Sequence, residues 1–260
     1  MMPTFSKHMH GTFSWAELAT TDATAAKKFY ASLLGWACED MRSGPDMIYT
    51  MCKVGAEYAS ALYQMGDAMK GMPPHWASYI TVDDVDAVAK KVVEQGGKVL
   101  KEPFEVLDVG RMAVVADPAG ATFCLWTAQK HIGAGVLHDP GAMTWNELFT
   151  SDIDRAGKFY ASVIGWTTQA IDMGNMGVYT LFDRPGEKGN AGGMMPLMQP
   201  GVSSHWLVYF AVSDCDKSAQ QVRELGGKVL SPPMDIPNIG RFAVVQDPQG
   251  ATFALYKGAH

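Results

Sequence analysis

The chain repeats itself, and the repeat decides how it can fold. Shifting the 260 residues by half their length, 130 positions, brings matching segments into line. Trp15-Ala16-Glu17-Leu18 returns as Trp145-Asn146-Glu147-Leu148, and Lys28-Phe29-Tyr30-Ala31-Ser32 returns unchanged as Lys158 to Ser162. His75-Trp76 returns as His205-Trp206, and Asp117-Pro118-Ala119-Gly120 as Asp247-Pro248-Gln249-Gly250. Across residues 14–36 the copies agree at 13 of 23 positions, and across 96–126 at 18 of 31, with no net gap. The chain is therefore a duplicated domain, and its function is whatever one such unit does twice. The spacing predicts domains at 8–128 and 142–258, joined by a Gly- and Pro-bearing linker at 129–141.

A half of this length is an ordinary domain size. With 47% hydrophobic and 18% charged residues the chain suits a soluble globular protein. Its net charge of −6 argues against nucleic acid as a partner, because phosphate binding needs a basic face. No apolar run is long enough for a membrane span, and the first residues lack a signal-peptide core, so a cytoplasmic protein is expected. The four cysteines, Cys38, Cys52, Cys124 and Cys215, form no CxxC pair. They face Thr168, Phe182, Ala254 and Val85 in the other copy and are expected to be reduced, mostly buried thiols.

Each copy holds two smaller units. A strand over 12–19 leads to a helix capped by Asp22, with Ala26, Phe29, Tyr30, Leu33 and Leu34 at helical spacing and a stop at Gly35. Three short strands follow. The pattern restarts at His75, with Asp83 or Asp84 as cap, Val85, Val88, Ala89, Val92 and Val93 on one helix face, and Gly96-Gly97 at its end. Three more strands follow, with Asp117-Pro118-Ala119-Gly120 as the turn before the last. Asp152 and Asp214 take the capping places in copy two. The fold class is α+β: two tandem domains, each of two βαβββ modules. Each domain forms a curved eight-stranded mixed sheet, with helices on its convex face and an open cup on the other.

Asp22 to Trp36, Tyr79 to Asp86 and the Asp-Pro-x-Gly turn, in this order and twice, resemble the vicinal oxygen chelate superfamily. That superfamily holds glyoxalases, bleomycin-resistance proteins and extradiol dioxygenases. The tandem form with Trp-x-Glu-Leu on its first strand is similar to a bacterial subgroup labelled hydroxylase-like or glyoxalase-like. The resemblance implies metal ligands at positions that here hold Trp15, Ala77 and Cys124, and in copy two Trp145, Leu207 and Ala254. None is His or Glu, so no cofactor and no family-type divalent metal are expected. The resemblance also implies that the two domains pair as an internal pseudo-dimer, in a monomer or homodimer.

Strand alternation then assigns the cup linings. Glu17 and Glu147 are candidate catalytic or ligand-anchoring carboxylates; the alternative is pairing with Arg111 and Arg241, which also recur. Trp15, Tyr79, Trp126 and His75 are candidate ligand-binding residues in the first cup. Trp145, Phe149, Tyr209, Tyr256 and His205 are their candidates in the second. Trp76 and Trp206 are expected in the core, and Asp117 and Asp247 in turns. Glu57 and Glu187 match across the copies, in a loop setting. His8, His10, His131 and His138 fall in terminal or linker segments and receive no role. Two readings follow: a binder of a small, partly aromatic or cationic molecule, or an enzyme of lyase, isomerase or dioxygenase type. The enzyme would use Glu, His and Tyr as acid and base, or a relocated metal on residues such as His75, Glu17 and Glu57.

Overall fold

Four aspartates start four helices. Asp22 accepts from the Ala25 amide at 2.9 Å and opens α1 (Ala23–Leu34), and Asp84 accepts from Ala87 at 3.0 Å and opens α2 (Val85–Glu94). Asp152 and Asp214 do the same for α3 (Ile153–Val163) and α4 (Cys215–Glu224). Each satisfies an amide that the first helical turn leaves unpaired. α1 ends at Gly35, whose φ of 71° lies in the left-handed region that glycine enters without strain. The computed structural model describes residues 4–42, 44, 48–174, 177–184, 189–198 and 201–259.

The strands of the first copy are β1 (Phe13–Thr20), β2 (Ala37–Arg42), β3 (Ile48–Val54), β4 (Glu57–Gln64), β5 (His75–Thr81), β6 (Lys98–Val106), β7 (Gly110–Ala116) and β8 (Thr122–Ala128). Those of the second are β9 (Met143–Thr150), β10 (Thr167–Asp172), β11 (Val178–Asp183), β12 (Asn190–Pro196), β13 (His205–Ala211), β14 (Lys228–Ile236), β15 (Gly240–Gln246) and β16 (Thr252–Gly258). They form two eight-stranded sheets, ordered β2-β3-β4-β1-β5-β8-β7-β6 and β10-β11-β12-β9-β13-β16-β15-β14. In each, the two modules meet through an antiparallel central pair, β1 with β5 or β9 with β13. This is the expected α+β tandem architecture.

The even-numbered residues of β1, Ala16 and Leu18, are fully buried and belong to one core that runs through both domains. Phe29 and Tyr30 of α1 pack on Phe253 of the second domain, and Phe159 and Tyr160 of α3 pack on Phe123 of the first. Trp76 meets Phe210, and Trp206 meets Phe13. The helix faces of the two sheets are thus turned toward each other, and the odd-numbered residues of β1 and β9 face outward into the cups. Among the described residues no helix is long and apolar enough to cross a membrane.

The offset of 130 does not hold along the fourth strand. Glu17 pairs with Ala61 on β4, whereas Glu147 pairs with Gly193 on β12, two positions beyond the offset. Gly193 therefore takes the place of Ala61, and Met195 that of Tyr63. Two glycines occupy the slipped positions, where copy one holds Ser60 and Ala61. A Cβ at Gly192 would lie 2.7 Å from the Asn146 carbonyl, and one at Gly193 only 2.1 Å from the Tyr179 hydroxyl oxygen. Phe182 pairs with Gly192 ten residues on, where Cys52 pairs with Ser60 eight residues on, so the slip comes from a connection into β12 that is two residues longer.

Candidate functional site

The floor of the first cup is one carboxylate held by two phenols. Glu17 lies mid-strand on β1, between Ala61 of β4 and Ala77 of β5. Its Oε1 accepts from the Tyr79 hydroxyl at 2.5 Å, and its Oε2 from the Tyr49 hydroxyl at 2.7 Å. The Tyr49 oxygen in turn accepts from the Trp15 indole at 3.2 Å. Trp15 is registered with Tyr79, and Tyr79 with Cys124 on β8, so these side chains share the outward face. Burial raises the Glu17 pKa above the usual carboxylate range; the hydrogen bonds from Tyr79 and Tyr49, and then the charge of His75, oppose that rise. Burial first, and then nearby charge from Cys124 and Glu17, holds the Tyr79 hydroxyl well above its ordinary range, so it keeps its proton and donates it to Glu17. The small neighbours Ala61 and Ala77 leave Glu17 partly open to solvent at the bottom of this network.

The arginine alternative is settled against. Arg111 pairs with Asp86 at 2.6 Å and Glu105 at 3.2 Å, and Arg241 with Asp216 at 2.7 Å and Asp235 at 2.9 Å. Both guanidiniums tie a helix start to a hairpin and leave the glutamates to the tyrosines.

The second cup is built from the same parts but closed. Tyr209 donates to Glu147 at 2.5 Å, and Trp145 donates to Tyr179 at 3.0 Å. Ala19 is replaced by Phe149, which stacks on His205 at 5.3 Å, and Ala77 by Leu207. Glu147 is consequently buried, at 6% exposure. Burial raises its pKa, against hydrogen bonds from Tyr209 and Tyr179. Tyr256 turns its hydroxyl to the Ile239 carbonyl at 2.8 Å. Leu207, Tyr209 and Ala254, with Trp145, Phe149 and Tyr256, form a small apolar cluster of their own.

His75 and His205 sit at the entrances of β5 and β13, partly exposed, each ring bonded to a carbonyl two residues back, Pro73 and Ser203 at 2.9 Å. Trp76 and Trp206 lie in the core as expected, donating to Tyr30 at 3.1 Å and Tyr160 at 2.9 Å. Glu57 starts β4, and Glu187 lies outside the described residues.

Two features of the first cup escaped the sequence reading. Tyr49 recurs as Tyr179 at the right parity on the third strand, a signal that was there to be used. His131 gave none. The linker is no free tether: Ala134 N donates to Ser14 O and Gly135 N to Tyr58 O, each at 2.7 Å, which docks it against β1 and β4. Gly133, at φ 103°, passes so close that a Cβ would lie 2.5 Å from the Ser14 carbonyl. His131 is thereby set edge-on to Trp15 at 4.8 Å, beside Trp126 and Tyr58, and its carbonyl accepts from the Trp126 indole at 3.0 Å. Among the described residues its buried Nε2 meets no hydrogen-bond partner, and burial pushes its pKa down to about 4, so the ring is neutral.

A concavity of about 340 Å³ lies elsewhere, past the ends of β9 and β12 between Thr150, Pro196 and Val202. Among the described residues its lining is Thr150, Ser151, Pro196, Leu197, Met198, Gly201 and Val202, none of them titratable.

The sequence matches the family described as Glyoxalase/Bleomycin resistance protein/Dioxygenase superfamily, over residues 12–125 and again over 141–255. The chain belongs to this superfamily. "Putative glyoxylase CFP32" of Mycobacterium bovis is 44% identical over 260 residues, covering 99% of both chains. "Anthracycline biosynthesis protein DnrV" of Streptomyces peucetius is 36% identical, covering 94% of this chain and 92% of its own. Among solved structures, the Mn(II)-bound glyoxalase from Novosphingobium aromaticivorans superposes with a TM-score of 0.65 at 18% identity, covering 95% of this chain and 82% of that one. The 2,3-dioxygenase LapB from Pseudomonas sp. KL28 superposes with a TM-score of 0.62 at 15% identity, covering 100% and 94%. At such identities these two structures speak for the fold alone.

A superfamily metal needs several His or carboxylate donors around one point. Here Glu17 is flanked by Ala61 and Ala77, with Trp15 and Cys124 at two of the implied ligand positions. Among the described residues no three His, Cys, Asp or Glu side chains converge enough to hold an ion, and that includes the set His75, Glu17 and Glu57. The donor set does not fit a family-type centre.

Proposed function

We propose that the first cup binds a small, flat, partly aromatic molecule carrying a hydrogen-bond donor or a positive charge, without the family's catalytic metal. The observation that carries this reading is the difference between the glutamates: Glu17 keeps part of its surface exposed, whereas Glu147 is buried, at 6% exposure, with Leu207 in register beside it. Tyr49 and Tyr63 keep part of their rings exposed, above Trp15 and Trp126, which are buried rather than lining an open surface, and Glu17 offers an acceptor on which a donor or cation can pair. A relative named for anthracycline biosynthesis fits a planar aromatic ligand. Each chain would carry one working cup, so a monomer or a homodimer would serve equally.

The test is a titration of chelator-treated protein with planar aromatic amines and their uncharged analogues. Saturable binding that favours the amine and is indifferent to chelation is the expected outcome. Binding that disappears with chelation, or that ignores the amine, would overturn the reading.

A second reading, acid–base catalysis, is favoured by the raised pKa of the solvent-reachable Glu17 beside the Tyr79 donor. It requires turnover of a bound ligand that Glu17→Gln abolishes while binding persists.

A further inference from the structure

The four cysteines are free thiols and three of them are buried, as expected, but two of them lie side by side. β2 and β3 are antiparallel, and their register places Cys38 directly opposite Cys52, with the two sulfurs 3.1 Å apart. A disulfide needs about 2 Å between sulfurs, and directly opposite antiparallel residues, with Cα atoms about 4.5–5.5 Å apart, lie within the separation a disulfide spans. Cys38 is partly exposed on the edge strand, and Cys52 is fully buried behind it. Copy two carries Thr168 and Phe182 at the same paired positions, so this strand pair folds without thiols.

We propose that Cys38 and Cys52 form a thiol–disulfide exchange site, oxidised by a low-molecular-weight disulfide, with Cys38 as the attacking and Cys52 as the resolving thiol. The order follows from access: only Cys38 can be reached by an incoming disulfide. The electrostatics agree with it. The sulfur contact with Cys52 and the charge of Lys27, held nearby on Asp40 at 2.8 Å, lower the Cys38 pKa, whereas the same contact and burial raise that of Cys52. The Cys38 thiolate attacks one sulfur of RSSR and expels RS⁻, leaving a mixed disulfide. Cys52 then gives up its proton to the medium and attacks the Cys38 sulfur, expelling the second RS⁻. Two thiols become one disulfide and RSSR becomes two RSH, a balanced two-electron exchange. Cys124 and Cys215 lack such a neighbour, and burial raises both pKa values, that of Cys215 to about 11.

The experiment exposes native full-length protein to glutathione disulfide, quenches by alkylation under denaturing conditions, and reads intact mass and peptide linkage. Four alkylatable thiols should fall to two, with a Cys38–Cys52 cross-link and a loss of about 2 Da. Cys52→Ser should stop at a single glutathione adduct on Cys38, and Cys38→Thr, the residue of copy two, should not react. Four surviving thiols, adducts on Cys124 or Cys215, or a wild-type adduct that never resolves would each overturn the proposal. Circular dichroism of Cys38→Thr checks that silence does not come from unfolding; if that variant is unfolded, the trapped adduct in Cys52→Ser decides.

Discussion

His131 holds a neutral ring where the unfolded chain would hold a titrating one. The unfolded imidazole gains its proton near pH 6.5, the folded one only near pH 4. Between those values the unfolded state carries the extra proton, so stability is lost as the pH falls through this window, by up to about 3 kcal/mol. His131→Asn should flatten the urea-midpoint profile between pH 6.5 and 4; an unchanged profile would show that the ring is not sequestered. Glu17 works in the opposite sense. Its folded pKa is raised, so the folded state holds its proton longer and stability falls as the pH rises above the unfolded value of about 4.5. Glu17→Gln should therefore be at least as stable as the wild type at pH 7, by thermal melting, while losing ligand affinity. A carboxylate kept only for packing would show the reverse.

At the level of elements, capping and alternation carried most of the information. Replacing Asp152 by Ala should cost about 1 kcal/mol in chemical denaturation, because the Arg155 amide loses its acceptor. Three of the four caps were legible outright, and the other was narrowed to Asp83 or Asp84, since Asp before an apolar helical stripe has one local meaning; the structure caps α2 with Asp84. So was the cup floor: parity on β1 and β5 puts Trp15, Glu17 and Tyr79 on one face whatever the tertiary packing. What stayed hidden depends on contacts that no period encodes. The slip of β12 comes from a connection two residues longer than its counterpart in copy one, which a stretch two residues shorter before β13 hides from a gapless comparison. The burial of His131 is fixed by a linker that pairs with Ser14 and Tyr58. The Cys38–Cys52 contact needs a cross-strand register that spacing alone leaves free.

Across the whole molecule the repeat motifs serve the partner domain as much as their own. Asp117 and Asp247 do hold their turns, and each also accepts from a tyrosine of the other copy, Tyr160 at 3.2 Å and Tyr30 at 2.9 Å. Trp36 and Trp166 donate to Gly141 at 2.7 Å and Gly11 at 2.9 Å across the same boundary. A core shared in this way should melt as one unit, so calorimetry should show a single transition; two separable ones would contradict the shared core. Tyr30→Phe leaves Asp247 and Trp76 short of a buried partner and should cost about 1–3 kcal/mol within that same transition.

The measurement that bears most directly on the proposed function is calorimetric titration of the tightest aromatic amine against wild type, Glu17→Gln and Glu147→Gln. One site per chain is expected, weakened at least about tenfold by Glu17→Gln, or about 1.4 kcal/mol, and unchanged by Glu147→Gln. Two equal sites, or affinity that survives Glu17→Gln, would contradict a single open cup anchored on Glu17.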